Sequence, residues 1–427
     1  MIKKIFVVIF FITSAALVAQ RTNSSPYSFF GIGERYSPRT VEQNSMGGIG
    51  VAYNHYKYLN FTNPAANAFL RRTTYSLGVF NTNLNIQSAD TQQTSYSTNL
   101  NYLALGFPLG EKAGFSFGLQ PLSSIGYSLV NNNFIDGEFD SFTVFTGEGG
   151  VNRIFGSFGI KLTKELALGL EADFSFGNSE SVITNQRNNV ALATRYKEIY
   201  NTRGNSLTVG AQYQKTLKNN VHVDAGATAK LGNNLNVIGN EFLYSLTIGA
   251  TGIEAPRDTL TNVALDGRYK LPLKSIIGVG VGKFDKWYLG LEYENQNAIE
   301  TQGLSNNTNT AFRYENSNRF SLGGFYLPKI NSVSNYFQRI TYRAGLRYES
   351  LGLAVNGTGT GGNFTAINDF GMSFGLGIPL KGLSTLNVAA EYGQRGTTNN
   401  NLVQENYFNF RLSLSLSDRW FIKRKID

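Results

Sequence analysis

The chain has 427 residues, of which 16% are charged and 13% are aromatic, with 46 glycines and no cysteine. The lack of cysteine excludes disulfide bonds and lipid attachment at a cysteine. The formal net charge is +9, but the basic residues are scattered, which argues against a nucleic-acid partner. Low charge, many aromatic and small residues, and no apolar stretch after residue 19 long enough for a spanning helix are typical of a membrane β-barrel.

Residues 1–19 predict an export signal. Lys3 and Lys4 precede an apolar stretch that ends at the small-residue cleavage motif Leu17-Val18-Ala19. This stretch is too short to cross a membrane as a helix. We therefore expect cleavage after residue 19 and delivery to the cell outer membrane. At the other end, residues 422–427 predict a basic tail that faces solvent or lipid headgroups.

Residues 20–70 are rich in Gly, Pro and Asn and show no sustained alternation of apolar and polar residues. Two motifs, Gly47-Gly48-Ile49-Gly50 and Asn63-Pro64-Ala65-Ala66, indicate a compact irregular segment. Its backbone polar groups need hydrogen-bond partners, and the lumen of a wide barrel supplies them. We therefore predict an N-terminal hatch that plugs the lumen. The alternative is a flexible periplasmic tail.

Residues 71–421 alternate between apolar and polar side chains along most of their length. At the end, Phe408, Phe410 and Leu412 share one face, and Asn409 and Arg411 share the other. In a barrel the first face meets lipid and the second lines the lumen. The segment therefore predicts an all-β, transmembrane antiparallel barrel. About fifteen strand candidates and the usual even strand number favour fourteen strands, with sixteen as the alternative.

The connections alternate between short turns and long polar stretches, as barrels alternate periplasmic turns with outer loops. The predicted turns are 108–112, 163–165 and 218–220. The predicted long loops are 178–204, 250–270, 298–312 and 395–405.

The third strand candidate, from Ala113 to Val130, contains a proline at position 121. Proline has no N–H for the ladder, so inside a closed barrel it indicates a bulge or a gap. One interpretation is a lateral opening in the wall at Gln120, Pro121, Leu122 and Ser123. The other is that the strand ends at Gln120 and a loop begins there.

Charged and polar residues recur on the faces predicted to line the lumen. They are Arg153, Glu171, Asp173, His222, Asp224, Glu292, Glu294, Arg343, Arg347 and Arg411. A structural network that balances charge or contacts the hatch is the favoured interpretation, and a path for a cation or substrate is the alternative. His222 and Asp224 share a face and match a general-base pair. Because no nucleophile accompanies them, a luminal hydrogen bond is the preferred interpretation.

Catalytic chemistry has few residues to use. The only histidines are His55 and His222, and the sequence contains no zinc-binding cluster. The run from Gly278 to Lys283 resembles a phosphate loop but lacks its first glycine and its final Ser or Thr. We therefore expect a non-enzymatic protein with no catalytic residue, no cofactor and no metal site.

Three motifs resemble the FadL-like family of outer-membrane proteins, in particular its PorV-like branch, which is associated with type IX secretion. They are the run from Met46 to Ala52 (MGGIGVA), the following Asn63-Pro64-Ala65-Ala66, and the closing run from Trp420 to Lys425. The resemblance implies a fourteen-stranded barrel whose Asn-Pro-Ala segment belongs to a luminal hatch. It also implies a break in the third strand that opens the wall sideways.

Two functions follow from this resemblance. A transport barrel for hydrophobic or amphipathic small molecules predicts an apolar pocket beside the hatch, lined by Tyr53, Tyr56, Tyr58 and Phe61. The alternative, a barrel subunit of an assembly such as the type IX translocon, predicts a filled lumen and an exposed apolar patch for a large outer-membrane partner. Either protein would contact outer-membrane lipids, including anionic lipopolysaccharide. A soluble secreted all-β protein is a third interpretation.

Overall fold

The computed structural model describes residues 23–89, 91–249, 251–304, 311–358, 362–380, 382 and 384–418. The predicted export signal at residues 1–19 and the basic tail at residues 422–427 lie outside the described residues. None of the helices in the described ranges is long and apolar enough to span a membrane.

The N-terminal segment, residues 23–70, contains only short elements. They are the 3-10 helix Pro26–Phe29, strand β1 (Glu34–Arg35), helix α1 (Val41–Asn44) and the 3-10 helix Pro64–Phe69. Thr40 starts α1 with a capping box, in which its hydroxyl accepts from the N–H of Gln43 and the Gln43 side chain accepts from the N–H of Thr40. The Asn63 side chain caps the second 3-10 helix. In this segment, side-chain caps thus bind the backbone N–H groups that a strand ladder would bind elsewhere.

Eighteen further strands follow. They are β2 (Thr73–Gln87), β3 (Gln92–Leu109), β4 (Ala113–Ile135), β5 (Glu138–Lys161), β6 (Leu166–Arg187), β7 (Ala193–Thr216), β8 (Val221–Lys230), β9 (Asn233–Ile248), β10 (Glu254–Leu271), β11 (Lys274–Lys283), β12 (Trp287–Gln296), β13 (Glu300–Gln302), β14 (Phe312–Tyr314), β15 (Ser317–Tyr326), β16 (Thr341–Val355), β17 (Thr365–Pro379), β18 (Thr385–Gly396) and β19 (Gln404–Asp418). Short 3-10 turns at Lys218–Asn220, Tyr336–Arg339 and Asn399–Asn401 lie between them.

These strands form a closed antiparallel barrel with fourteen wall positions. Strands β8 and β9 occupy one position, because β7 pairs with β8 along residues 208–216 and with β9 along residues 193–204. The pairs β10 and β11, β12 and β13, and β14 and β15 share positions in the same way. The last strand, β19, pairs with β2 and closes the ring. The predicted all-β barrel of fourteen strands is confirmed.

Two rows of aromatic side chains mark an apolar band on the outer wall. The upper row lies across four neighbouring strands and consists of Tyr293, Phe320, Tyr348 and Phe370. The lower row consists of Trp287, Tyr326 and Tyr342. Leu291, Leu322 and Leu346 lie exposed between the rows. Aromatic girdles around an apolar belt are the surface that a bilayer requires.

The strand breaks agree with the height of this band. Strands β8, β11, β12 and β15 have ten residues each, and a break in the chain separates each of them from the strand above it in the wall. A transmembrane strand needs about 9–11 residues. The end that carries the short connections, such as 110–112, is called the turn end below. In barrels this end faces the periplasm, and the opposite end, called the loop end, faces outward.

One half of the wall rises far beyond the apolar band. Strands β4 to β7 have 22 to 24 residues, whereas β16 to β19 have 12 to 15. Their upper parts join β9 and β10 in a six-stranded sheet with the order β4-β5-β6-β7-β9-β10, the extramembrane sheet.

The long loops predicted at 178–204 and 250–270 are therefore wrong. Most of these residues belong to β6, β7 and β10. Above the lipid band the outer face of a strand meets water and need not be apolar, so the sequence loses the alternation that identifies a strand lower down. The stretch 395–405 does contain a loop, which separates β18 from β19.

Candidate functional site

The N-terminal segment lies against the inner wall and touches it through glycines. Six inward-facing glycines leave so little room that an added Cβ would lie 2.0 to 2.6 Å from a backbone atom of residues 46–67. These glycines, the glycine belt, are Gly114, Gly159, Gly169, Gly226, Gly323 and Gly345. Residues 45–70, called the floor below, are thus packed directly onto strands on several sides of the lumen.

The hatch motif residues lie in the floor. Gly47 and Gly48 have φ values of +68° and +87°, a left-handed conformation that favours glycine. The N–H groups of Gly50 and Val51 both donate to Glu292 Oε2 at 2.7 Å. The fold therefore brings together Glu292 on the wall and the glycine motif, which are far apart in the sequence.

The Asn63-Pro64-Ala65 motif turns the chain against the wall. Asn63 Nδ2 donates to the carbonyls of Val51 and Ala211 at 2.7 and 3.0 Å. Pro64 opens the 3-10 helix, and its carbonyl approaches Gly159, while the N–H of Ala65 approaches Gly169. This motif therefore fixes the floor to β5, β6 and β7.

A buried ion-pair cluster joins Arg39, which precedes the floor in the chain, to β12. Arg39, which is fully buried, lies 2.7 Å from Glu292 Oε1 and 3.1 Å from Glu294 Oε2. It also donates to the carbonyl of Gly48. Lys274 adds a contact of 2.5 Å to Glu294. Burial lowers the pKa of Arg39, whereas Glu294 and Glu292 raise it. The effect of the two carboxylates is larger, so the pKa of Arg39 is raised.

A second cluster centres on Arg347. Its guanidinium lies 2.8 Å from Glu391 Oε1 and 3.1 Å from Asp369 Oδ2, and it donates to Tyr407 Oη at 2.6 Å. Arg411 pairs with the other oxygen of Glu391. Of the predicted luminal residues, Arg347 and Arg411 thus meet through a shared carboxylate.

A third cluster lies beside the proline of β4. Arg153 lies 2.9 Å from Glu171 and 3.5 Å from Asp173. It also donates to Gln120 Oε1 at 2.7 Å, and Lys230 pairs with Asp173 at 3.0 Å. The predicted residues Arg153, Glu171 and Asp173 are therefore brought together.

The remaining predicted luminal residues do not join these clusters. His222 Nδ1 lies 2.9 Å from Asp224 Oδ2, and the His222 ring stacks on Phe284 with centroids 4.3 Å apart. Arg343 donates to Asn387 Oδ1 at 3.1 Å, rather than to a carboxylate. His222 and Asp224 thus form a local hydrogen bond on one strand.

The sequence pattern missed about as many network residues as it found. They are Glu34, Arg35, Arg39, Lys230, Lys274, Arg319, Glu349, Asp369, Glu391, Arg395 and Glu405. The sequence did contain a signal for Glu34, Arg35 and Arg39. They are isolated charges in a Gly- and Asn-rich segment that is predicted to pack in the lumen, and buried charges need partners.

A cavity of about 280 Å³ lies above the floor. Its wall carries nine basic side chains: Arg35, Arg39, Arg153, Lys230, Lys274, Arg319, Arg347, Arg395 and Arg411. It carries six acidic ones: Glu34, Glu171, Glu294, Glu349, Asp369 and Glu391. Phe80, Leu84 and Leu122 contribute an apolar side. The cavity is therefore amphipathic, with an excess of positive charge.

The predicted apolar pocket of Tyr53, Tyr56, Tyr58 and Phe61 is wrong, because only Phe61 lines this cavity. Tyr53 packs against Tyr288 at 5.1 Å between ring centroids. Tyr56 and Tyr58 each pack 4.5 Å from the ring of His55. The three tyrosines thus pack against aromatic rings of the floor and the wall and do not face the cavity.

The floor holds His55 in its neutral form. Burial, with the charges of Lys57 and Arg343, lowers the pKa of His55 well below its usual value. Its Nδ1 accepts a hydrogen bond from the N–H of Lys57 at 3.2 Å, which a protonated ring could not do.

The seam between β3 and β4 is incomplete. Their ladder runs from Leu109 and Ala113 up to Leu103 and Leu119. Above this point, no ladder joins β3 to β4 within the described ranges. The other edge of β4 stays paired with β5 up to Ile135, with a register shift between Pro121 and Ser123. The interpretation that the strand ends at Gln120 is therefore wrong, and Pro121 lies at a bulge beside an unjoined edge.

Residues 23–36, called the strap below, lie along this edge of β4. Glu34 pairs with Ser124 and Arg35 with Ser123 as β-ladder partners. The N–H of Tyr36 donates to the carbonyl of Leu122 at 2.9 Å. Farther up, the N–H of Gly126 donates to Ser28 Oγ at 3.2 Å. Beyond Leu119, where the β3–β4 ladder ends, the strap thus replaces β3 as the partner of β4.

Solved structures with the same fold are known. A Pseudomonas aeruginosa FadL homologue aligns with a TM-score of 0.59 and 14% identity over 90% of this chain and 98% of its own. The Ralstonia pickettii toluene transporter TbuX aligns with a TM-score of 0.57 and 14% identity, over 90% and 99% of the two chains. The Pseudomonas putida toluene transporter TodX gives 0.57 and 16%, over 91% and 99%. The FadL-like fold is therefore confirmed.

No curated protein matches this chain. The BamG family model, however, matches residues 1–427, the whole length of the sequence. This match shows that the chain belongs to the BamG family.

Proposed function

We propose that this chain is a non-enzymatic outer-membrane barrel that passes a small amphipathic molecule from its cavity sideways through the seam between β3 and β4. The seam carries the proposal, because its ladder stops at Leu103 and Leu119 while β4 continues upward. The glycine belt holds the floor across the direct path to the turn end. A sideways path leaves the floor in place.

The charge of the cavity supports a molecule with an anionic head. Among the described residues, Arg35 has no carboxylate partner, since it donates to Gln296 Oε1 at 3.1 Å and to the Leu351 carbonyl at 2.6 Å. A guanidinium with only neutral partners suits a carboxylate or phosphate. TbuX and TodX are described as toluene transporters, and toluene offers no charge to such a group. We therefore propose an anionic amphiphile for this chain.

The strap is the gate in this proposal. It covers the unjoined edge of β4 at Gln120, Pro121, Leu122 and Ser123, which form the proposed lateral opening. Passage requires residues 23–36 to leave this edge, whereas the floor stays docked. The N-terminal hatch of this protein thus consists of a fixed part and a movable part.

A disulfide that holds the strap tests the gate. Glu34 and Ser124 are directly opposed in the β1–β4 ladder, a spacing of about 5 Å that a disulfide bridges. The chain has no cysteine, so a Glu34→Cys, Ser124→Cys variant forms one defined crosslink and leaves Arg35 in place. Oxidation should stop uptake of a fluorescent long-chain carboxylate into vesicles that contain the barrel, and reduction should restore it.

A matched pair controls for the crosslink itself. Ser128 and Thr146 are opposed in the β4–β5 ladder, so a Ser128→Cys, Thr146→Cys crosslink joins strands that are already paired. Uptake should be insensitive to oxidation of this control. Uptake that continues through the oxidised strap variant would refute the lateral route.

The second candidate is a barrel subunit of a larger outer-membrane assembly, such as a PorV-like subunit of the type IX secretion translocon. The observation that favours it is the extramembrane sheet, whose β4–β5 tip exposes Val130, Phe134 and Ile135. A photocrosslinker at Phe134 in intact cells should then give one large adduct. In that case the sheet is the docking surface, and amphiphile uptake should be absent.

Both candidates place the protein in the outer membrane after removal of the predicted signal. There the apolar band would contact lipid, and outward cations near its upper edge would meet lipopolysaccharide. Arg203 of β7 and Arg268 of β10 are both exposed and both lie opposite Asn236 of β9. Two neighbouring cations suit a phosphate-bearing headgroup.

A further inference from the structure

One connection at the turn end differs from the others. Residues 327–340, which join β15 to β16, form a stretch of fourteen residues, whereas the connections at 110–112, 162–165, 217–220 and 284–286 have three or four. Since barrels keep turns at this end short, the extra length of this connection calls for a separate explanation.

The connection is ordered by its own hydrogen bonds. The N–H of Lys329 donates to the carbonyl of Gln338 at 2.9 Å, which closes the loop on itself. Asn335 Oδ1 accepts from the N–H of Phe337 at 2.9 Å and caps the 3-10 helix Tyr336–Arg339. Tyr336 Oη donates to the carbonyl of Pro379 at 2.8 Å, which fixes the loop to the end of β17.

This ordered loop nevertheless presents apolar side chains outward. Val333 is fully exposed, with a relative accessibility of 102%, and Phe337 is 69% exposed. Tyr336 and Ile330 are exposed as well. In water such a cluster costs free energy without a compensating contact, so its rigid exposure indicates an apolar surrounding.

The position of the loop identifies that surrounding. The loop begins directly after Tyr326 and ends just before Tyr342, two members of the lower aromatic row. Tyr342 Oη donates to the carbonyl of Phe337 at 3.2 Å. Because Tyr342 faces outward from the wall, this bond holds Phe337 on the lipid side, immediately below the apolar band.

The charge of the loop agrees with this position. Residues 327–340 contain Lys329 and Arg339 and no acidic residue, and the Arg339 guanidinium lies 4.8 Å from the ring centre of Tyr336. Apolar side chains flanked by cations are characteristic of segments that lie in a lipid interface.

We propose that residues 327–340 form an interfacial anchor that inserts Val333 and Phe337 into the phospholipid leaflet at the turn end, with Lys329 and Arg339 at the phosphates. The occupant of this apolar surface is thus lipid, continuous with the lipid that covers the wall above it. This inference is independent of whether the barrel transports a molecule.

Site-directed fluorescence tests the anchor in the full-length barrel. Val333→Cys and Phe337→Cys variants each carry one cysteine in an otherwise cysteine-free chain and accept an environment-sensitive nitrobenzoxadiazole label. In vesicles of phosphatidylethanolamine and phosphatidylglycerol, we expect blue-shifted emission that lipid spin labels quench and aqueous iodide does not. An Asn132→Cys label, at the far tip of β4, should show the reverse.

Emission at both loop positions that iodide quenches and lipid spin labels do not would overturn the proposal and would favour a protein partner at this surface. Migration of the unheated barrel on a gel verifies that each labelled variant is folded. An Ile330→Cys variant gives an independent reading at the same depth if either of the first two variants fails this check.

Discussion

The floor and the strap belong to the same N-terminal segment but are attached to the wall in different ways. The floor places backbone atoms against the glycine belt on six strands, with no side chain between them. The strap joins the edge of β4 through a two-residue ladder and a few hydrogen bonds, and it contacts the rest of the wall through side chains such as Tyr27 and Ile32. Backbone packed on glycine cannot shift without a clash, whereas side-chain contacts and a short ladder can break and form again. A single segment can therefore contain a fixed part and a releasable part.

Breaking the ion pair between Arg39 and Glu292 should have the largest effect on stability. Glu292 binds Arg39 and two N–H groups of the floor inside the lumen. Glu292→Gln removes the nearer of the two carboxylates that compensate this buried guanidinium, and removal of one partner of a buried pair costs about 3–5 kcal/mol. Urea unfolding in vesicles should show the loss. Glu300→Gln, at an exposed pair with Lys270, should cost about 0–1 kcal/mol, and equal losses would contradict the buried role.

Filling the glycine belt should have the next largest effect. In Gly169→Ala the new Cβ would lie 2.2 Å from the backbone nitrogen of Ala65. We expect destabilisation of about 1–3 kcal/mol, the usual cost of overpacking. Gly156→Ala is the control, because its nearest neighbour is 3.6 Å away on the Phe115 ring. If both variants unfold at the same urea concentration, the floor is not packed against the wall as described.

Acid should loosen the floor moderately through His55. Its pKa is lowered in the folded chain, so below about pH 6.5 the unfolded chain binds a proton that the folded chain does not. Stability therefore falls as the pH drops below this value. His55→Gln should flatten the pH dependence of the unfolding free energy, and His222→Gln should leave that contribution in place. An unchanged slope in His55→Gln would contradict the assignment.

Loosening the strap should change stability least and accessibility most clearly. Glu34 accepts from Asn23 Nδ2 at 2.8 Å and pairs with Arg395 at 2.7 Å. Glu34→Gln should leave the unfolding midpoint nearly unchanged, because Arg395 keeps Asp369 and Glu405 as carboxylate partners. In a Ser124→Cys background, it should speed maleimide labelling at position 124. Labelling as slow as in the Glu300→Gln control would place the strap among the fixed parts.

The wall was predictable wherever lipid imposes a pattern. Phe408 and Phe410 are exposed and Asn409 is buried, as the alternation in the last strand indicates. Only lipid on one side and a packed lumen on the other create this contrast. The upper parts of β6, β7 and β10 lack it, so they were mistaken for loops.

The lumen was predictable in composition but not in connectivity. Alternation places Arg153, Glu171 and Asp173 on inner faces, and their pairing follows from adjacent strands. The partner of Glu292 was missed, because Arg39 comes from a segment without a period that predicts its direction. Glycines on the inner face of strands, such as Gly114 and Gly169, were a signal that the sequence analysis did not use. They leave room for a backbone segment to pack directly against the wall.

The extramembrane sheet makes one half of the rim higher than the other. It rises along β4 to β7, β9 and β10, while strands β16 to β19 are short. If the barrel acts as proposed, a molecule that diffuses within the outer headgroup layer would meet the sheet on one side and the lower rim on the other. Entry would then be a two-dimensional search that succeeds from the lower side, so the shape of the rim would select by approach before any side chain selects by chemistry.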